Sequence, residues 1–600
     1  MRKICKGLVI IKSKWLMRNS KIDIKKLANE CGVFGITTKV LVNRNINTRK
    51  DILDFINTDI KNLHNPLLMK DMEKGLDLIV KAIREKRKIV IYGDYDADGV
   101  TSTVVLYKAL KKCNANMDFH IPNRESEGYG MSKERIKILK DEGAEVILTC
   151  DNGISAMEEI DLAKKLGFTV VVTDHHELPF KEMEDGTREY MKPNADAVIN
   201  PKRSDCNYPF KNLCGAGIAF KFAQGLYEKM DIPVKEANEL IEIACIGTIC
   251  DVVDLVNENR ILAKEGLRQI TNTSSVGLMA LKKVLGIENQ DIKSYNIGFQ
   301  IGPCINATGR LETADLSFEI LITENQDRAM ELANKLNDLN KERQEMTIKN
   351  VEEIIEIIEK DKEYTNKVLV LYKKDVHESI AGIVAGRIKE KYNLPTIVLT
   401  GGKEMPKGSG RSIENYNMHE ELTKCKELIA KFGGHPMAAG LSIQEENILL
   451  LKQKLNEITT LTDEDVTPIV RVDNRLPLEY ITFELIEELN KLEPFGKGNE
   501  KPLFAEKNIE ILEVMILGKE QNTLKLKCKM GTRNLTIDAM GFNKVEKFIE
   551  LLKENFGVCY KQVLDKPKGL KLDMIFSPAV NEFRGNKNIQ LRIEDFRISE

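Results

Sequence analysis

From Lys88 onward, short β-branched runs alternate with stretches whose apolar positions recur at helical spacing. Ile89–Tyr92, Met117–Ile121, Val146–Thr149 and Val170–Thr173 read as strands, and Ala197–Ile199 adds a further short one. Between them Val100–Lys112, Lys133–Asp141 and Ala156–Leu166 read as helices, and Ile241–Gly247 as part of a buried one. Such alternation predicts βαβ units and a mostly parallel sheet. From Arg310 to Ala381 the chain has neither Gly nor Pro between its ends. Within that stretch, Leu332, Leu336, Leu339, Met346, Val351, Ile354, Ile355 and Ile358 mark one long helix, a natural boundary between two lobes. A second α/β region comes next, with strands at Val368–Tyr372 and Thr396–Leu399 flanking a helix over Ser379–Lys391. Past Thr467, five strand candidates separated by Gly or Pro turns (Ile509–Leu517, Thr523–Lys529, Leu535–Ala539, Leu572–Phe576, Ile589–Ile593) suit a small barrel of the OB type. The Lys- and Asn-rich start has a mixed pattern and reads as a helical leader packed on the adjoining first lobe.

The expected organisation is therefore an α/β chain of two α/β lobes joined by a long helix, plus a C-terminal OB-like barrel. Its divisions are a leader over 1–65, a first lobe over 66–325, the connecting helix over 326–362, a second lobe over 363–465 and the barrel over 466–600. Composition bounds this picture. Six hundred residues, 42% of them hydrophobic, fill several cores. A net charge of -2 excludes both a protein that coats polyanions by bulk charge and an acidic disordered tail. The twelve cysteines form no CxxC pair, which argues against zinc ribbons and a disulfide framework and for a reducing cytoplasm. The apolar run Leu8–Ile11 is too short for a signal segment, and no run reaches the length of a membrane span.

The strongest chemical signal comes directly after the first strand: Gly93-Asp94-Tyr95-Asp96-Ala97-Asp98-Gly99. Three carboxylates at alternating positions in a partly desolvated turn repel one another unless a cation is present. A calcium EF-hand would need Glu at position 12 from Asp94, where Val105 stands, although a plain acidic turn remains open. The placement then recurs. Val146–Thr149 leads into Asp151-Asn152-Gly153, and Val170–Thr173 into Asp174-His175-His176. Asp251, with Asp254 three residues on, is a further candidate. Parallel strands deliver these groups to one edge, and imidazole beside carboxylates shifts the metal choice from calcium towards Mn²⁺, Zn²⁺ or Fe²⁺. Such a set suits two metals about 4 Å apart, which activate water for in-line attack at phosphorus. The residues alone thus reach a two-metal phosphohydrolase and leave its substrate open.

These motifs, in this order, resemble the DHH phosphoesterase superfamily. The second lobe resembles its DHHA1 companion domain through His377-Glu378-Ser379, Gly382 to Arg387, Gly408-Ser409-Gly410-Arg411-Ser412 and Gly433-Gly434-His435. Leu492 to Gly496, Asn499 and Pro502, leading into the barrel, resemble the exonuclease members of that superfamily. The resemblance implies an exonuclease that degrades single-stranded DNA from the 5′ end to mononucleotides, in repair and recombination. It implies two ions, Mn²⁺ or Mg²⁺, held by Asp96, Asp98, Asp151, His175 and Asp251, with Asp151 bridging. Asp94 and His176 would lie behind the ligands or touch the scissile phosphate, and His435 would lie near it. Arg124, Arg310, Ser409 and Arg411, with Gly433 and Gly434, would hold the strand and its 5′-phosphate. Ser409 and Arg411 are expected in a Gly-rich turn whose backbone N–H groups help hold that phosphate. Single-stranded DNA is the implied partner, with a single-strand-binding protein or a helicase as candidate protein partners and no membrane.

Three positions depart from the family pattern. Tyr92 stands where related pyrophosphatases have a ligand His, Cys304 where an Arg is usual and Asp254 where a Pro is common. The alternatives left open are a DHH phosphodiesterase of short oligoribonucleotides or a small nucleotide, and a non-catalytic replication-associated scaffold. The barrel region Lys519–Glu600 carries 16 Lys+Arg against 11 Asp+Glu. There Lys525, Lys527 and Lys529 share one strand face, and Phe583-Arg584 and Phe596-Arg597 offer stacking and charge to a single strand. The plainer reading of the three lysines is protection of an edge strand.

Overall fold

The parallel sheet of the first lobe has the strand order Ala197–Ile199, Thr169–Thr173, Val146–Cys150, Ile89–Tyr92, Met117–His120 in the computed structural model. The structure describes residues 2–5, 8–128, 130–183, 187–402, 404–531, 535–583 and 585–599. The chain forms two compact units. One comprises Asn57–Gln344 with Pro494–Glu500; the other comprises Met1–Ile56, Glu345–Glu493 and Lys501–Glu600.

In the first unit's five-stranded sheet all four strand pairings are parallel. Side chains alternate between two cores, as the strand period of two requires. Ile89, Ile91, Val146, Leu148 and Val171 enter one; Val90, Tyr92, Ile147, Val170 and Val172 enter the other. Both faces are covered, so the strands are continuous apolar runs. The chain leaves Ile89–Tyr92 for a neighbour on one side, then returns to place Val146–Cys150 on the other. That reversal is a topological switch point, where the loops at the carboxyl ends diverge and leave a crevice. The helices Gly215–Lys229 and Ile241–Cys250 pack in the larger core, almost wholly buried.

The helix Gln326–Lys360 carries the boundary between the units within it. Leu332 and Leu336 belong to the first unit's core, Ile354 and Ile358 to the second's. In the second unit a mixed sheet runs Leu369–Tyr372, Thr396–Thr400, Lys407–Arg411, Ala438–Ser442, Lys431–His435, with only its first pair parallel. The barrel strands Phe504–Leu517, Thr523–Met530, Leu535–Phe542, Asn586–Ile598 and Lys571–Phe583 pair in that order, and the first and last pair to close it. The leader is helical as expected (Ile24–Cys31, Gly35–Val42, Arg49–Ile56). Its residues 1–56, however, belong to the second unit, and only 57–65 to the first. Its strand Lys14–Met17 pairs in parallel with Ile469–Val472, more than 400 residues later. Among the described residues no helix is long and apolar enough to cross a membrane.

Candidate active site

The turn after Ile89–Tyr92 is built by its own carboxylates and glycines. Asp96 caps the helix Ala97–Lys112, its Oδ1 accepting from the backbone N–H of Asp98 (2.9 Å) and Gly99 (3.0 Å). Asn306, on the helix Gly302–Leu311, accepts from the Ala97 N–H at 3.0 Å and pins the turn from outside. Asn152 donates to the carbonyls of Tyr92, Gly93 and Cys150, tying together the two strand ends that flank the switch point. Asp98 points into the N-terminus of Gly215–Lys229, accepting from Gly215 N–H at 2.6 Å and Ala216 N–H at 2.9 Å. A helix N-terminus favours an anion. Gly247 makes room beside it: a Cβ there would lie 2.5 Å from both Asp98 Oδ1 and Thr101 Oγ1.

Seven predicted side chains converge here. His175 Nε2 lies 3.0 Å from Asp151 Oδ1 and 3.8 Å from Asp98 Oδ2, while its Nδ1 is 3.7 Å from Asp251 Oδ2. Three sets have ligand atoms within 4.8 Å of one another: Asp94 with Asp96 and Asp151; Asp98 with His175 and Asp251; Asp151 with His175 and His176. Asp151 occurs in two of them. Asp94 and His176 each belong to one of these sets.

The electrostatics are those of a cluster that a cation would stabilise. Burial, then the neighbouring Asp96, pushes Asp98 up to about 6. Burial, then Asp98 and Asp96, pushes Asp251 up to about 8. Burial and the surrounding aspartates hold Asp94 and Asp151 well above the carboxylate range. Burial, then His176, brings His175 down to about 3, so its imidazole is neutral and able to ligate. Burial opposes a charge on His176, but its 2.7 Å hydrogen bond to Asp174 raises it to about 9. Asp94 Oδ1 is buried without a hydrogen-bond partner, and Asp151 Oδ1 and His175 Nε2 form no hydrogen bond although they lie 3.0 Å apart. Buried polar atoms are rarely left so. The donor set, carboxylate oxygens with one neutral imidazole, fits Mn²⁺ or Mg²⁺.

Arg124 and Arg310 flank this centre. The Arg124 guanidinium lies 5.3 Å from the centre of the Tyr95 ring. Burial, then Arg124 and Arg343, lowers Arg310 to about 10. Crowded cations of this kind are stabilised by an incoming phosphate. Arg343 was not anticipated, because on the long helix it reads as an ordinary polar position. Buried Cys304 faces this same helix, near Asn340 and Arg343. Tyr92 is no ligand: its hydroxyl accepts from Ser132 N–H at 3.2 Å and its ring meets His120 edge-on. Asp254 lies outside the three sets, its carboxylate 3.8 Å from Lys497 Nζ.

In the second unit Ser409 and Arg411 do not lie in a turn. They sit in the strand Lys407–Arg411, paired on both sides. Its ladder is antiparallel on both sides, so its amides face neighbouring strands rather than a phosphate. The glycines serve packing: a Cβ on Gly408 would lie 2.7 Å from Leu399 Cδ2. Ser409 and Arg411 project from the other face, against Gly382 of the helix Glu378–Tyr392. Register places Ser409, Gly440 and Gly433 in one row, and Arg411, Ala438 and His435 in the next. Open space lies above Gly440 and Gly433, leaving a floor without side chains beside the guanidinium. Gly434 alone in this strand needs φ +146°.

On the barrel, Lys525, Lys527 and Lys529 share a face, but their strand is interior to the sheet, which excludes edge protection. Each also has a carboxylate across the sheet: Asp538 at 2.8 Å, Glu513 at 4.0 Å and Glu510 at 3.0 Å. Arg597 lies over the ring of Trp15, 4.4 Å from its centre, and Phe596 is buried. Arg584 and the Phe583 side chain lie outside the described residues.

Carboxylates and a neutral imidazole gathered at the switch point of a parallel sheet define a metal-dependent phosphoesterase of the DHH class. Residues 88–248 match the DHH family N-terminal domain, 365–461 the DHHA1 domain and 472–595 the RecJ OB domain. The chain belongs to the RecJ family. It is 36% identical to the single-stranded-DNA-specific exonuclease RecJ of Bacillus subtilis (strain 168), over 98% of this chain and 71% of that protein. To the Escherichia coli (strain K12) protein of the same name it is 33% identical, over 88% of this chain and 90% of that one. The crystal structure of RecJ in complex with Mn²⁺ from Thermus thermophilus superimposes with a TM-score of 0.80 at 25% identity, covering 98% of this chain and 80% of that chain.

Proposed function

We propose that this protein is a 5′-to-3′ exonuclease specific for single-stranded DNA, releasing mononucleotides by two-metal phosphodiester hydrolysis in repair and recombination. The observation that carries the reading is the convergence of Asp94, Asp96, Asp98, Asp151, His175, His176 and Asp251 at one sheet edge, with buried oxygens and a nitrogen left unpartnered. Asp96, Asp98, Asp151, His175 and Asp251 would hold two ions, Mn²⁺ or Mg²⁺, with Asp151 between them. When bound, such ions lower the pKa of a water and offset the charge gathering on the phosphoryl oxygens. The residues do the rest. Asp98 is oriented by the Gly215 and Ala216 amides. His176, charged on Asp174, faces the scissile phosphate with Asp94 and can donate a proton towards it. Arg124 and Arg310 bind strand phosphates. In the second unit Arg411 and Ser409 grip a terminal phosphate, and the Gly433–Gly434–His435 strand admits the nucleotide beside it.

The working division is a catalytic region over 66–325, a helix over 326–362, an end-binding region over 363–465 and a strand-holding barrel over 466–600. The match of the barrel to the RecJ OB domain favours a long strand over a small nucleotide. The full acidic set favours an enzyme over a scaffold. A cytoplasmic helicase or single-strand-binding protein would present such strands.

The test is digestion of end-labelled DNA and RNA strands, with and without a 5′-phosphate, in Mg²⁺ and Mn²⁺. The 5′ label is expected to leave first; early loss of the 3′ label overturns the polarity. Arg411→Ala is expected to lower kcat/KM on 5′-phosphorylated strands by roughly 10- to 100-fold, the worth of a charge-assisted hydrogen bond. On 5′-hydroxyl strands the effect should be far smaller. An equal loss on both would remove Arg411 from the phosphate grip.

A further inference from the structure

Two aromatic rings of the first unit have no part in the carboxylate chemistry. Tyr295 and Phe299 stack on each other, with ring centres 5.0 Å apart and planes 24° apart. They are 65% and 69% exposed, more than any other large apolar side chain described in that unit. Scattered exposed apolar residues are ordinary. A stacked pair with both rings in solvent is a different matter, since each leaves a large apolar face unburied.

The backbone beneath them is unusual as well. Ile297–Ile301 is a π-helical turn, the kind of local widening that recurs at functional sites. It sits directly on the end of the helix Ile241–Cys250: Gly298 faces Ile249, and Gly302 abuts the Cys250 thiol. The next residue is Asp251. Beyond it Val252, 59% exposed, holds φ +56°, a conformation a β-branched residue rarely adopts. Downstream, the turn runs straight into Gly302–Leu311. That helix carries Asn306, which holds the Asp96–Asp98 turn, and Arg310. The pair therefore stands on the rod that also supports the carboxylate centre and a phosphate-directed arginine.

We propose that Tyr295 and Phe299 are a stacking platform for a nucleobase of the strand held at the carboxylate centre. This rests on the exonuclease reading. A flat base extends an existing two-ring stack, and the continuity of the rod with Asn306 and Arg310 leads from base to phosphate. Every base has a π-face, so the platform reads no sequence. It would hold the strand in register while successive nucleotides are removed.

The experiment places 2-aminopurine at each position of a 5′-phosphorylated strand and adds the intact protein with Ca²⁺ to bind without turnover. One position is expected to lose fluorescence by stacking. Tyr295→Ala with Phe299→Ala should restore it and raise KM for oligonucleotide digestion roughly tenfold or more, with a much smaller change in kcat. Phe299→Trp keeps a ring and should retain both quenching and KM, which separates stacking from a folding defect. No quenched position, or an unchanged KM in the double variant, overturns the platform while the wild type still digests DNA. If the wild type digests no single strand, the exonuclease reading itself falls.

Discussion

Asp98→Ala is expected to lower kcat at least about 10³-fold while leaving the protein folded. Losing a residue that merely supports a ligand costs 10- to 100-fold. Asp98 offers its own oxygens to the set it forms with His175 and Asp251, so its loss should cost more. The two amides that orient it, from Gly215 and Ala216, would be left facing a methyl group. Stability should not follow activity. Without metal, Asp98 is one of several buried carboxylates that repel one another, and removing it relieves Asp151 and Asp251. The metal-free variant should melt at or above the temperature of the wild type by calorimetry. Asp254→Ala is the matched control, because that carboxylate lies outside the cluster beside Lys497, and its activity should stay within a few-fold. Turnover by Asp98→Ala within tenfold of wild type would remove it from the centre.

The second large effect is a stability of the metal-free protein that falls as pH rises. Asp98 and Asp251 are raised to about 6 and about 8, against an unfolded value near 3.9. Their protonated forms belong to the folded state, so what they contribute is present below about pH 4 and lost as pH climbs through 6 and 8. His176, raised to about 9, adds a loss between its unfolded value and that pH. His175 and Asp174 have the opposite sign. Both are lowered, so their contribution is intact above pH 6.5 and falls only in acid. Between pH 6.5 and 9 the net slope is therefore downward. Mn²⁺ should abolish it. A cation takes the place of the protons, so binding releases them and affinity rises with pH up to about 8. At 1,000 times Kd the ion adds about 4 kcal/mol of stability. Melting curves from pH 6 to 9, with and without Mn²⁺, should diverge steadily. Parallel curves would mean that the cluster is not where the ion binds.

How much of this was legible in the chain depended on whether local pattern and tertiary structure agreed. Ile89–Tyr92, Val146–Cys150 and Thr169–Thr173 are largely apolar runs with an Asp one or two residues beyond each (Asp94, Asp151, Asp174), and a parallel sheet leaves little freedom about where those ends go. The carboxylate centre could be read for that reason. Lys407–Arg411, Lys431–His435 and Ala438–Ser442 could not be read as strands. Rich in glycine and alanine, they carry neither the alternation nor the β-branched side chains that mark a strand; they are held by their neighbours' hydrogen bonds. The amide cradle of Asp98 was hidden too, since Gly215 and Ala216 act through backbone N–H groups that every residue type except proline carries. The pairing of Lys14–Met17 with Ile469–Val472 joins segments too far apart for any local signal.

The cross-strand carboxylates on the barrel have a consequence for how a strand is held. Asp538, Glu513 and Glu510 already serve Lys525, Lys527 and Lys529 as fixed counterions. DNA phosphates laid along that face would displace carboxylates rather than add fresh ion pairs, so few of the cations condensed on the strand would be set free there. The slope of log affinity against log salt counts uncompensated contacts. On the proposed reading, this lysine face should add little to the ionic-strength dependence of strand binding, however much it contributes to holding the strand.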